Sequence, residues 1–118
     1  MMLPITRFPG MAPGRSRAVA YSNLVFTVAV ADTAEQDIRR QTQETLAKIE
    51  RHLAEAGTDK SRLLSVTVYI ADMAQKSAMN DVWLGWVDRA NEPQRACIGA
   101  TLEYPHMVEI VAVAATKD

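Results

Sequence analysis

The sequence predicts an α+β fold: a single six-stranded mixed sheet with two helices on one face, in the order β-β-β-α-β-α-β-β. Three observations predict it. Short alternating or β-branched runs recur at residues 5–8, 17–21, 24–30, 64–70, 93–98 and 108–115. Helical spacing of apolar residues occurs in only two stretches, one on either side of residues 64–70. No internal repeat, low-complexity tract or linker interrupts the 118 residues, which predicts one domain over 1–118. A chain of that length buries about two-thirds of the surface it exposes when unfolded.

Each element has a local reason. Residues 5–8 can form a short edge strand, and the Pro and Gly residues of 9–14 require a loop. Residues 17–21 and 24–30 read as a hairpin turning at Ser22-Asn23, where Asn tolerates a positive φ. The first helix is expected to start at Asp32 as N-cap, with Glu35 three residues later completing a capping box. Ile38, Leu46, Ile49, Leu53 and Ala56 form its apolar stripe, with Thr42 and Thr45 beside it, and Gly57 suits the position that ends it. Residues 64–70 alternate apolar and polar, as expected of a strand buried on one face. Asp72 or Ser77 can cap the second helix, in which Met79, Val82, Trp83, Trp86 and Val87 recur at helical spacing. Asn91-Glu92-Pro93 ends it.

The last strand is apolar on both sides: Val108, Ile110 and Ala112 on one, Val111 and Val113 on the other. Strands of that kind belong to sheets covered on both faces. Two helices cover one face, so other copies of the chain must cover the second, which predicts a homo-oligomer with sheets inward and helices outward.

Composition narrows the partners. A net charge of −1 gives no general attraction to nucleic acid or an anionic membrane, and no long basic run supplies a local one. Arg15-Ser16-Arg17 and Arg39-Arg40 are close basic pairs, too short to make a basic patch. No stretch approaches the roughly 20 apolar residues of a membrane span. A single cysteine, Cys97, excludes an intrachain disulfide and fits a reducing compartment. The first ten residues, broken by Pro4 and Pro9, lack a signal-peptide core, so a cytoplasmic location is expected.

Two residues are unexplained by the strands that hold them. Arg95, just after Pro93, carries a planar fork of donors suited to gripping a carboxylate; a surface ion pair with Glu92 or Glu103 would also account for it. Glu109 shares a face with Val111 and Val113, where a carboxylate sits either at the rim of the apolar surface or desolvated beside a cation. Pairing of the last two strands as a hairpin through Tyr104-Pro105-His106 would bring Arg95 and Glu109 together. Cys97 faces the same side as Arg95 and, as a lone thiol, reads more readily as a small buried hydrophobe than as a nucleophile. His52 is expected on the surface of the first helix, and His106 in a solvated loop. Two histidines and one cysteine so spaced make no metal site. Trp83 and Trp86 are expected to pack. No phosphate loop, G-x-G-x-x-G or G-x-S-x-G occurs.

Several segments together resemble the Rid (reactive intermediate deaminase, or YjgF-like) family over nearly the whole chain, in particular its small bacterial members. They are Arg15-Ser16-Arg17-Ala18-Val19, residues 64–73, Met79-Asn80-Asp81-Val82-Trp83 with Trp86-Val87, Pro93-Gln94-Arg95-Ala96-Cys97, and Val108-Glu109-Ile110. The resemblance implies a chorismate-mutase-like α+β fold assembled as a homotrimer, with ligand clefts between subunits. It further implies that Arg95 clasps the carboxylate of a 2-imino or 2-enamino acid, that main-chain carbonyls around Arg95 and Cys97 hold the attacking water, and that Glu109 exchanges protons. Neither metal nor organic cofactor is implied. Two departures stand out. Many active relatives have an aromatic hydroxyl near Ser16, and a Ser-Gly pair where Val28 and Ala29 stand here. The substrate-binding set implied is therefore Arg95, Cys97, Ser16, Val28 and Ala29, with Arg95 and Glu109 as the catalytic pair.

The expectation is a hydrolytic deaminase that turns small 2-imino acids into 2-keto acids and ammonia. The alternative is a non-catalytic protein of the same fold that binds a small carboxylate or 2-keto acid and regulates a partner. RNA cleavage, ascribed to some relatives, is disfavoured by the charge balance.

Overall fold

The computed structural model describes residues 2–117. Its elements are β1 (Ile5–Pro9), β2 (Ser16–Tyr21), β3 (Leu24–Val30), α1 (Ile38–Glu55), β4 (Leu63–Ile70), α2 (Lys76–Trp86), β5 (Gln94–Gly99) and β6 (Val108–Ala115), with 3₁₀ turns at Lys60–Arg62 and Met73–Gln75. The six strands form one sheet in the order β1-β2-β3-β6-β4-β5, antiparallel except for the parallel pair β4-β5. This is the α+β arrangement expected, with both helices on one side.

The pleat assigns the faces. Val25 and Ala29 of β3, Val66, Val68 and Ile70 of β4, and Val108, Ile110, Ala112 and Ala114 of β6 are buried in one core with Leu46, Ile49 and Leu53 of α1 and Met79 and Trp83 of α2. Each fully buried Val, Leu, Ile or Met side chain of that set contributes about 1.5–3 kcal/mol. On the opposite face Phe26 and Val111 remain 42% and 37% exposed, beside half-buried Val28 and Val113. β6 lies between β3 and β4 at the centre of the sheet, one side against the helices and the other on the open face.

Local boundaries differ from expectation in four places. α1 begins at Ile38, five residues later than an N-cap at Asp32 would place it: Asp37 is the cap, its carboxylate accepting from the Arg39 and Arg40 amides at 3.0 and 3.3 Å. Asp32 instead pairs with Lys48, and Glu35 lies 3.5 Å from Arg40. Asp72 caps the 3₁₀ turn before α2, whereas Ser77 falls inside the helix. At the β2-β3 hairpin the positive φ (55°) falls on Ser22. The stop at α1 is as expected, with Gly57 at φ 84° just past the cap residue Ala56.

The fourth difference decides the geometry of the site. β5 and β6 do not form a hairpin. β5 pairs in parallel with β4 through the α2 crossover, and residues 100–107 then carry the chain over the end of β4 to β6. That loop is held by two backbone bonds, Ala100 N to Ile70 O and Ala71 N to Met107 O, both 3.0 Å. Gln41 of α1, fully buried, clamps it from below. Its Nε2 donates to Pro105 O (2.9 Å) and Glu35 O (3.0 Å), and its Oε1 accepts from Met107 N (2.8 Å).

Candidate functional site

β5 is an edge strand, and its register beside β4 sets where its side chains go. Arg95 lies next to Val66 and Cys97 next to Val68, so both project to the helix-covered side at the margin of the sheet. There Arg95 meets α2. Its Nη1 donates to Asn80 Oδ1 at 2.8 Å, and its Cζ stands over the Trp83 ring, 5.4 Å from the centroid. Asn80 and Trp83 are three residues apart, which places them side by side on one helix face. Trp83 is buried and packs on Trp86 with centroids 5.7 Å apart. Among the described residues Arg95 forms no ion pair; Glu92 pairs with Arg89 (3.1 Å). The half-buried guanidinium thus holds a cationic fork with no internal carboxylate to satisfy it.

Glu109 is half-buried on β6, in register with Val30 on one side and Tyr69 on the other. It faces away from the helices, and among the described residues no ion pair reaches it. A hairpin contact with Arg95 is ruled out. β4 lies between β5 and β6, about 10 Å of lateral spacing at the usual strand separation, and the two side chains point to opposite faces.

The remaining expected residues divide between the faces. Val28 lies on the open face opposite Val111, while Ala29 is 6% exposed and faces the helices beside Ile110. Ser16 opens β2, half-buried, in register with Pro9. Cys97 is a free thiol packed against the core cluster. Neighbouring Arg17 is committed elsewhere, to Glu55 at 3.0 Å and the Phe8 ring at 5.7 Å. Its guanidinium holds the Glu55 carboxyl below the usual carboxylate range through that hydrogen-bonded pair.

His52 is not on the surface. It is 9% exposed, its Nδ1 lies 2.8 Å from Thr27 Oγ1, and burial pushes its pKa below the ordinary imidazole value. Thr27 Oγ1 also donates to Arg17 O at 2.8 Å. His106 sits in the loop before β6 with a buried Nδ1 that has no hydrogen-bond partner among the described residues. Among the described residues no group of three or more His, Cys, Asp or Glu could hold a metal ion. None of the described helices is long and apolar enough to cross a membrane. Asn80 and Trp83 are the residues that sequence reasoning did not connect to Arg95. Their i, i+3 spacing was visible, but only the β4-α2-β5 crossover shows which strand they face.

The profile of the family described as Endoribonuclease L-PSP matches residues 11–116. A RutC family protein of Haemophilus ducreyi is 42% identical over 102 residues, covering 85% of this chain and 87% of its own. The RutC family protein YoaB of Escherichia coli is 36% identical over 101 residues, covering 85% and 89%. A crystal structure of a YjgF family member from Neisseria meningitidis superposes with a TM-score of 0.93 at 36% identity, covering 100% of this chain and 99% of that one.

Proposed function

The chain belongs to the endoribonuclease L-PSP (YjgF/RutC) family, and on that premise we propose that it is a hydrolytic deaminase of small 2-imino or 2-enamino acids, acting at clefts between subunits of a homotrimer. The observation that carries this reading is the Arg95 guanidinium, tethered by Asn80 and Trp83 at a sheet margin with no carboxylate partner among the described residues.

The arrangement of Arg95 and Glu109 supports a site shared between chains. They lie on opposite faces of one sheet, so a cleft using both takes Arg95 from one copy and Glu109 from another. The open face that carries Glu109 also carries Phe26 and Val111, an apolar surface suited to a second copy.

In the proposed reaction Arg95 grips the substrate carboxylate and fixes C2. Water adds through its oxygen to C2, the C=N π electrons move to nitrogen, and nitrogen takes up a proton, giving a carbinolamine. The C–N bond then breaks toward nitrogen while the hydroxyl loses its proton, leaving a 2-keto acid and ammonia. Glu109 of the neighbouring copy would relay these protons, and main-chain carbonyls near Arg95 and Cys97 would hold the water. The substrate is intrinsically reactive, so orientation supplies much of the rate. Neither a metal nor an organic cofactor is required.

The test generates imines in situ with an amino-acid oxidase and follows keto-acid formation. Wild type is expected to accelerate it, and Arg95→Ala to reduce kcat/KM about 10- to 100-fold, the loss of a charge-assisted pair. A second reading has one observation in its favour: Val28 and Ala29 stand where many active relatives have Ser-Gly, so a hydroxyl is missing. In that case the cleft binds a small carboxylate without turnover, and binding by wild type without acceleration would select it. RNA cleavage is disfavoured by a net charge of −1.

A further inference from the structure

The geometry points to Trp83 as the positioning residue for Arg95, holding the guanidinium so that its Nε/Nη2 edge grips the carboxylate side-on. This rests on the carboxylate-binding reading above. A free arginine side chain samples many rotamers, and a ligand that must freeze it loses affinity to that ordering. Here two contacts do the freezing in advance. Asn80 takes one Nη1 proton at 2.8 Å, and the Trp83 ring lies under Cζ at 5.4 Å. The ring is itself fixed: it is 7% exposed and wedged by Trp86, tilted 43° at 5.7 Å between centroids. With Nη1 engaged, the edge formed by Nε and Nη2 has no partner among the described residues. That edge carries two near-parallel N–H bonds matched to the two oxygens of a carboxylate. A ring is needed and not merely bulk, because the attraction is between the cation and the negative face of the π system.

Trp83→Leu keeps an apolar but smaller side chain and removes the ring, whereas Trp83→Phe keeps a ring. The probe is 2-oxobutanoate, bound by calorimetry, together with KM and kcat for the imine made in situ. Trp83→Leu is expected to raise Kd and KM about three- to thirtyfold, the range of a cation–π contact. It should lower kcat by less than it raises KM, because the ring acts through Arg95 on binding and orientation and not on the bond changes themselves. Trp83→Phe should recover most of the loss. The protein has two tryptophans, so Trp86→Phe leaves Trp83 as sole emitter. Its fluorescence should then respond to 2-oxobutanoate, and not once Arg95→Ala is added. Unchanged Kd and KM in Trp83→Leu, or a Phe variant no better than Leu, overturns the assignment. A separate readout needs no ligand: the Arg95 Nε–Hε resonance, identified by its loss in Arg95→Lys. An ordered resonance in wild type that becomes mobile in Trp83→Leu supports the inference even if wild type neither binds nor turns over, an outcome that removes only the proposed function. Equal mobility in both overturns the inference.

Discussion

Arg95 and Glu109 project from opposite faces of the same sheet, with β4 between their strands. One chain cannot bring them to a common ligand, so the proposed cleft draws them from different copies. Mixing therefore tests the shared site directly. Arg95→Ala and Glu109→Gln are each expected to be nearly inactive alone. Unfolded together in equal amounts and refolded, they should regain about a quarter of wild-type activity, since in a cyclic oligomer one cleft in four receives both intact residues. Recovery near zero would mean that the pair does not share a cleft.

The open sheet face gives a second prediction. Val111 is 37% exposed and packs beside Val28 in register. Val111→Glu places an unpaired charge where neighbouring copies would meet, which costs several kcal/mol per interface. Sedimentation should show the wild type as a trimer and the variant as single chains. Keto-acid formation should fall at least about tenfold with it. A variant that stays assembled and active would place the interface elsewhere.

The clamp under the β5-β6 loop is expected to matter for stability. Gln41→Leu preserves volume but removes the acceptor of the Met107 amide. Pro105 O keeps its bond from Gln36 at 2.9 Å, so the main loss is one part-buried N–H left without its partner, about 1 kcal/mol. Urea unfolding should show this as a lower midpoint at unchanged slope, with faster amide exchange at Met107.

His52 predicts a pH dependence. Burial lowers its folded pKa below the unfolded value of 6.5, so near and below that pH the unfolded chain binds more protons. Stability is therefore full above about 6.5 and declines as pH falls. The groups around it act in both directions: Glu55 favours the charged ring, while Arg17, Arg51 and Lys48 oppose it. Between pH 7.5 and 5 the urea midpoint of wild type should fall, and that of His52→Gln should fall less. Equal slopes would show that His52 titrates freely in the folded protein.

Asp59 acts at lower pH. Its carboxyl is held at about 2, first by Lys117 at 2.8 Å and then by the hydroxyl and amide of Ser61. A depressed carboxyl stabilises above its unfolded pKa, and that contribution disappears as pH falls from about 4 through about 2. Because the side chain is 42% exposed, solvent screening keeps the effect small. Asp59→Asn should flatten the acid limb of the stability profile while leaving the neutral region little changed.

Much of the fold was legible because periodicity reports which face a residue occupies. Ile110 and Val111, or Val25 and Phe26, separate cleanly between the two sides of the sheet. Periodicity does not report neighbours. The run at residues 93–98 looked like one arm of a hairpin because the next run followed after a Pro-containing turn, yet α2 delivers it parallel to β4. Thr42 and Thr45 lie beside α1's apolar stripe in the sequence pattern, whereas the polar side chains of Gln41 and His52 hid the rest of the buried face. Gln41, Thr42, Thr45 and His52 are all buried, satisfied by partners such as Ile38 O for Thr42 and Gln41 O for Thr45, both at 2.7 Å. The expected helix start is too early because Asp32 with Glu35 matches a capping pattern, whereas the carboxylate that reaches the first free amides is that of Asp37. Arg95 and Glu109 stood out from sequence as residues without a strand's reason to be there. The tether of Asn80 and Trp83 did not, because it depends on the crossover.

Alternation along β3 gives its adjacent positions unequal latitude. Val28 looks outward and can be exchanged for a smaller, larger or hydroxylated residue without disturbing the helices. Ala29, pressed beneath them at 6% exposure, has little room to grow. Any retuning of what this strand offers to a visiting molecule is therefore confined to every second residue, and the intervening ones are held fixed by packing.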